Sequence, residues 1–148
     1  MTSRLTRISL ALALCTAAIP VFAQSQSVKK VAPDRVPVYW TLTNSHVDVD
    51  VPNTGKNLDQ PGCAAVTYTI GADGVTRDLV AVRVVPEGDL GIPAVSAVKN
   101  FHYAPAANNR LGNPIATYYV VEFNMPADQA KRAEILKKCV VPGYAQAS

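Results

Sequence analysis

The sequence has little excess of either charge. The 148-residue sequence carries 14 Lys+Arg against 11 Asp+Glu. Arg4 and Arg7 belong to a leader-like N-terminus, and without them twelve cations face eleven anions. That balance is too even for the basic stripe that nucleic-acid binding requires. Aromatic residues make up 7%, too few for a base-stacking surface. Histidine occurs twice and cysteine three times, with neither C-x-x-C nor H-x-x-x-H spacing, so zinc-type motifs are missing. No glycine-rich phosphate loop follows a strand, because Gly71 and Gly74 belong to a hairpin turn. There is no internal repeat and no low-complexity tract. Domains usually run about 100–200 residues, so the chain suits one domain and leaves no room for a separate cofactor domain.

Long hydrophobic runs are also lacking. The longest, Ile8 to Ile19, reaches about 18 Å as a helix, against a hydrocarbon core of about 30 Å. Arg4 and Arg7 precede it, Pro20 breaks it, and Val21-Phe22-Ala23 follows with small residues at the recognition positions. This is the order of a secretory signal peptide, with cleavage expected after Ala23. Leu14 before Cys15 does not fit a lipoprotein site, and there is no twin-arginine pair. The expectation is an exported protein with no transmembrane helix once matured.

Export decides how the cysteines are read. Cys15 leaves with the signal, and Cys63 and Cys139 remain. Two cysteines in an oxidising compartment are expected to pair. A metal site built from Cys63, Cys139, His46 and His102 has suitable ligand types but no ligand spacing. No metal and no cofactor is expected.

Residues 24–35 are polar and aperiodic and are expected to form a flexible lead-in, followed by a single domain over 36–148. Pro37 to Thr43 alternates like a strand, as does His46 to Val51, and 53–62 reads as loop. Val66, Tyr68 and Ile70 share a strand face. Gly71-Ala72-Asp73-Gly74 supplies turn chemistry, and the return strand places Val80, Val82 and Val84 together. Leu90, Ala94, Ala97, Val98 and Phe101 recur at helical steps, with Asp89 or Pro93 at the start. Ile115 to Phe123 alternates again, and Pro126 opens a second helix ending near Cys139, with Glu134 and Lys138 spaced i,i+4. The sum is α+β: a small antiparallel sheet with two helices packed on one face.

Three stretches in this order carry a family likeness. GCAAVTYTIGADGVTRDLVAV is a hairpin with an Asp-Gly turn. GDLGIPAVSAVKNFHYAP is a helix closing on Tyr103-Ala104-Pro105. NNRLGNPIATYYVVEFNM is a Gly-x-Pro turn and a last strand. Residues 62–125 thus resemble the C-terminal domain of the TonB energy transducers. Family members carry a Tyr-Pro-containing helical segment before the first strand, where residues 36–61 read here as strand and loop. A transducer also needs a retained inner-membrane anchor and a long Pro-rich spacer. With a cleavable signal and a short lead-in, the resemblance implies a stand-alone periplasmic member of the Gram-negative envelope, an accessory in TonB-dependent transport. It further implies strand addition at an exposed edge, where backbone groups of the last strand accept an extended peptide. Carried over by position, that edge is Ala116, Thr117, Tyr118, Tyr119, Val120, Val121, Glu122, Phe123 and Asn124. The partner would be an outer-membrane receptor peptide or another envelope protein. The rival is a structural or small-ligand-binding protein in which residues 37–43 or 46–51 cover that edge.

Catalytic constellations are weak. Ser45 and His46 are adjacent, which in a strand sends them to opposite faces. His102 has no acidic neighbour at helical spacing. Asp48 and Asp50 share a strand face as charges on a solvated surface do. The run from Asp48 to Asp59 has Pro52 and Asn53 where a calcium loop needs a ligand and a glycine. Lys131, Arg132, Lys137 and Lys138 read as a solvated helix face. No enzymatic activity is expected.

Overall fold

The hairpin from Gly62 to Val85 is the centre of the molecule, and everything else is placed by what its two faces require. The computed structural model describes residues 28–44 and 46–144. The expected signal peptide and its cleavage site lie outside the described residues. Strand β1 is Lys29–Lys30, followed by a 3-10 turn at Pro33–Arg35 and a one-turn helix α1 at Val36–Tyr39. Next come β2 (Trp40–Leu42), β3 (Gly62–Ile70) and β4 (Thr76–Val85). Helix α2 (Gly91–Lys99), β5 (Tyr103–Pro105), β6 (Ile115–Phe123) and α3 (Gln129–Lys137) complete the order. One sheet has the order β1-β6-β3-β4, and β2 and β5 form a second, two-stranded sheet.

The expected hairpin is present. Gly74 takes φ +77°, and a side chain there would run into the Tyr103 carbonyl; only glycine fits such a turn at no cost. Asp73 accepts from the Val75 amide at 3.2 Å and pairs with Arg77 at 2.6 Å. The return strand departs from the simple alternation expected for Val80, Val82 and Val84. Register shifts opposite Ala65/Val66 and Thr67/Thr69, with Asp78 at φ 55°, bulge β4 and leave Val80 and Val82 exposed.

Strand β3 explains the layering. Ala64, Val66, Tyr68 and Ile70 face α2 through Ala94 and Val98, with Trp40 and Phe101 in the same core. Cys63 and Ala65 point the other way, against Ile135 and Leu136 of α3. The α+β class stands as expected, but the two helices do not share a face. Both sides of this central strand are apolar, so both need cover, and the Cys63–Cys139 bond holds the chain after α3 on the second side. Their sulfurs are 1.99 Å apart and their Cα atoms 6.3 Å.

The helix starts differ in detail. Asp128, not Pro126, caps α3 by accepting from the Ala130 and Lys131 amides at 2.9 and 3.1 Å, as an N-cap aspartate does. Asp89 does not cap α2; its carboxylate instead accepts the Lys56 amide at 2.7 Å and ties down the 53–61 loop.

The N-terminal readings need correction. From Lys29 onward the expected lead-in is structured: β1 pairs parallel with Ile115 and Ala116, and Val31 and Ala32 are buried. Lys29 and Lys30 are both exposed, so this two-residue strand carries no apolar alternation to read. The strand expected over 37–43 is helix to Tyr39 and strand only from Trp40, since the prolines at 33 and 37 hold the chain in turn and helix-start geometry. Residues 46–51 form no strand. Asp50 and Asp48 are laced to α2 instead, through Ser96 and through Asn100, whose amide donates to the Asp48 carbonyl at 2.6 Å.

Candidate functional site

The last strand has one satisfied side. All nine residues of β6 pair antiparallel with β3 in unbroken register, from Ile115 opposite Ile70 to Phe123 opposite Gly62. On its other side the β1 ladder ends at the Val31 amide, which donates to the Ala116 carbonyl at 2.8 Å. The next donor in a parallel ladder would be residue 33, and Pro33 has no N–H to give. The chain turns away there. Because the Ala116 carbonyl points outward, strand alternation points the backbone groups of Tyr118, Val120 and Glu122 outward as well. Among the described residues none of these groups has a backbone partner.

Within the stretch Ala116 to Asn124, most backbone groups are already engaged. Ala116 is already paired with β1. Thr117, Tyr119, Val121 and Phe123 spend their backbone groups on β3. Asn124 leaves the strand at φ 46°, and its side-chain amide donates to the Leu58 and Gln60 carbonyls at 3.1 and 3.3 Å. Neither 37–43 nor 46–51 covers the edge: β2 pairs with β5 instead. The outer edge of β4 differs in kind, because its two register shifts and its Arg77, Asp78 and Arg83 make it a poor template.

The side chains along β6 divide by face. Tyr118 meets the Tyr144 ring with centroids 5.2 Å apart, and Glu122 pairs with Arg132 of α3 at 2.7 Å. On the opposite face Tyr119 stands edge-on to Phe101 at 5.1 Å and stays 43% exposed. Beside Tyr119, on the side of β6 away from β3, lies a pocket of about 150 Å³ walled by Pro33, Val36, Pro37 and Leu42 with Trp40 beneath. Sequence reading missed it. Its walls come from the 33–42 segment, whose tertiary position no local pattern reveals.

Tyr68 and Tyr103 also border this pocket, and their hydroxyls share a 2.7 Å hydrogen bond. Burial pushes both phenols above the ordinary value of 10.0, and in Tyr103 the bond from Tyr68 works against that rise. The folded state thus favours the neutral forms. The stability this gives is full below about pH 10 and is lost as pH rises through the raised folded-state values. In an alkaline titration followed by tyrosinate absorbance, Tyr68 and Tyr103 should ionise after Tyr39, whose phenol the hydrogen bond and charge of Lys29 hold below the ordinary value. Tyr39, Tyr68 and Tyr103 titrating together in a protein that keeps its circular dichroism would contradict this.

The other sequence candidates do not converge. His46 and His102 are both exposed, and neither lines the pocket. The His102 amide donates to the Asn44 side-chain oxygen at 2.8 Å. Asp48, Asp50 and Asp59 lie in exposed loop, and no cluster of metal-ligating side chains occurs among the described residues. No helix among them is long and apolar enough to cross a membrane. Lys131, Lys137 and Lys138 are exposed, as a solvated helix face is.

No protein-family model matches the sequence, and no curated protein matches it. Among solved structures, the chain is similar to the solution NMR structure of the Pseudomonas aeruginosa TonB CTD, at a TM-score of 0.40 and 16% identity. That likeness covers 61% of this chain and 90% of the other.

Proposed function

We propose that the protein is a periplasmic interaction module that accepts an extended peptide as an added strand on β6, serving TonB-dependent transport as an accessory. One observation carries the reading: the outward backbone groups of Tyr118, Val120 and Glu122, on a strand of regular register, have no backbone partner among the described residues. Such groups pair with an incoming backbone at little cost in reorganisation, and side chains on alternating faces then select the sequence. The resemblance of residues 62–125 to TonB C-terminal domains supplies the transport context. The buried disulfide fits an oxidising compartment.

Val120→Pro tests this directly. Its amide points away from β3, so a proline there removes a docking donor without breaking the β3–β6 ladder. Synthetic peptides from the periplasmic N-termini of outer-membrane receptors should bind the wild type and protect the Tyr118, Val120 and Glu122 amides from exchange. The variant should keep its circular dichroism and bind about tenfold or more weakly, a loss of about 1.4 kcal/mol. Binding that survives the substitution unchanged, or that leaves those amides unprotected, would exclude strand addition here.

A further inference from the structure

The edge explains how a backbone would be held, but not which side chains it would prefer. We infer that the pocket beside Tyr119 seats one large apolar side chain, of phenylalanine or leucine size, from the peptide docked on β6. This rests on the strand-addition reading and adds the chemistry of its partner.

Position comes first. The pocket touches both Tyr119 and Tyr118, so it reaches the strand where its outward backbone groups begin. A strand laid along Tyr118 to Glu122 places every second side chain on the Tyr119 face. One of these stands over the pocket mouth, between Tyr119 and the wall made by Pro33 and Pro37. The occupant is therefore part of an extended peptide, since only a backbone answers the adjoining ladder of N–H and C=O groups.

Polarity comes next. The Trp40 indole N–H is committed to the Asn113 carbonyl at 3.2 Å, and the Tyr68 and Tyr103 hydroxyls are bonded to each other. The remaining walls are proline, valine and leucine. The tyrosine pair leaves one phenol O–H to donate, which is far less than a charged or amide side chain gives up with its water, so such a side chain entering here is under-satisfied at a cost of about 1–3 kcal/mol. Size agrees with polarity: the pocket holds about 150 Å³, and an apolar cavity of about that volume admits a benzene ring. The walls are also fixed in advance. Val36 is buried, and the prolines lack the freedom to fold inward.

The experiment separates this inference from the reading beneath it. An octapeptide display library is selected on the full protein, and the best binder is synthesised with each alternate position changed to alanine, leucine, phenylalanine or aspartate. Affinity is read alongside the emission of Trp40, the one tryptophan in the sequence. The expected result is one position where phenylalanine or leucine binds about ten- to a hundredfold better than alanine, where aspartate abolishes binding, and where occupancy shifts the Trp40 emission. Leu42 is 41% exposed, so Leu42→Trp can fill the pocket without opening the core. In that variant the alanine peptide should still bind, with the phenylalanine advantage reduced to about twofold or less. Peptides that protect the β6 amides yet show no apolar position, or keep their preference in Leu42→Trp, overturn the pocket inference and leave strand addition standing. If no octapeptide binds, or Val120→Pro leaves binding unmoved, strand addition itself fails and the pocket inference goes with it. Protection of the same amides by concentration-dependent dimerisation, without peptide, would put a second copy on the edge and overturn both.

Discussion

Replacing both Cys63 and Cys139 with alanine is expected to lower the unfolding free energy by about 4.5 kcal/mol and the midpoint temperature by roughly 15–20 °C. The bond joins residues 76 positions apart, and in the chain-entropy account closing so long a loop restricts the unfolded chain more than a short one would. The loss should be uneven across the molecule. Helix α3 has no fully buried residue and leans on the sheet through Ile135 and Leu136. Its ion pair from Arg132 to Glu122 is partly exposed, and such pairs contribute about 0–1 kcal/mol. A nine-residue helix with so little packing is marginal alone. In the double variant the α3 amides should therefore exchange well before those of β3 and β4, a local opening distinct from global unfolding. A variant that melts within a few degrees of the wild type, with α3 still protected, would show that packing rather than the bond holds this helix.

What was legible in the sequence follows physical range. The hairpin, α2 and β6 are written in local alternation and turn chemistry: Val66, Tyr68 and Ile70, the Asp73-Gly74 turn, and the three-four spacing of Leu90 to Phe101. Those elements lie where expected, as does the Cys63–Cys139 contact. The placing of the two helices on opposite faces is not legible, because Cys63 and Ala65 are too small to register as a second apolar face of β3. The 28–42 segment is illegible for a different reason. Its two-residue strand and single helical turn have no period to read, and they are held by tertiary contacts such as Trp40 in the core. The consequences meet at the candidate site. The alternation of 115–123 made an edge conceivable, but among the described residues the pairing with β1 stops just before Pro33, which has no N–H to give, and the residues that line the adjoining pocket lie in the same unread segment.

Trp40→Ala is expected to cost about 3–5 kcal/mol, the usual range for deleting a buried large aromatic side chain. Trp40 is 1% exposed within the main core, begins β2 and pairs with Pro105 of β5. The Tyr39 carbonyl next to it accepts the Ala106 amide at 2.9 Å. Removing the indole therefore loosens the point where the small sheet meets the large one, and the segment carrying Pro33, Val36 and Pro37 loses its anchor. Trp40→Phe separates packing from hydrogen bonding. It keeps a ring in the core, and the Asn113 carbonyl it abandons still accepts from the Asn109 side-chain amide at 3.0 Å. That variant should lose only about 1–2 kcal/mol. Both are to be measured by calorimetry and hydrogen exchange, because they remove the one tryptophan and with it the fluorescence signal. The alanine variant should lose exchange protection first at β2 and β5, with β3 and β6 opening only at the global transition. Equal losses in the two variants would mean that the hydrogen bond, not the ring, holds the segment. A loss below about 1 kcal/mol in Trp40→Ala, far under the range for a buried tryptophan, would mean that the 33–42 segment is fixed by its prolines and its pairing alone.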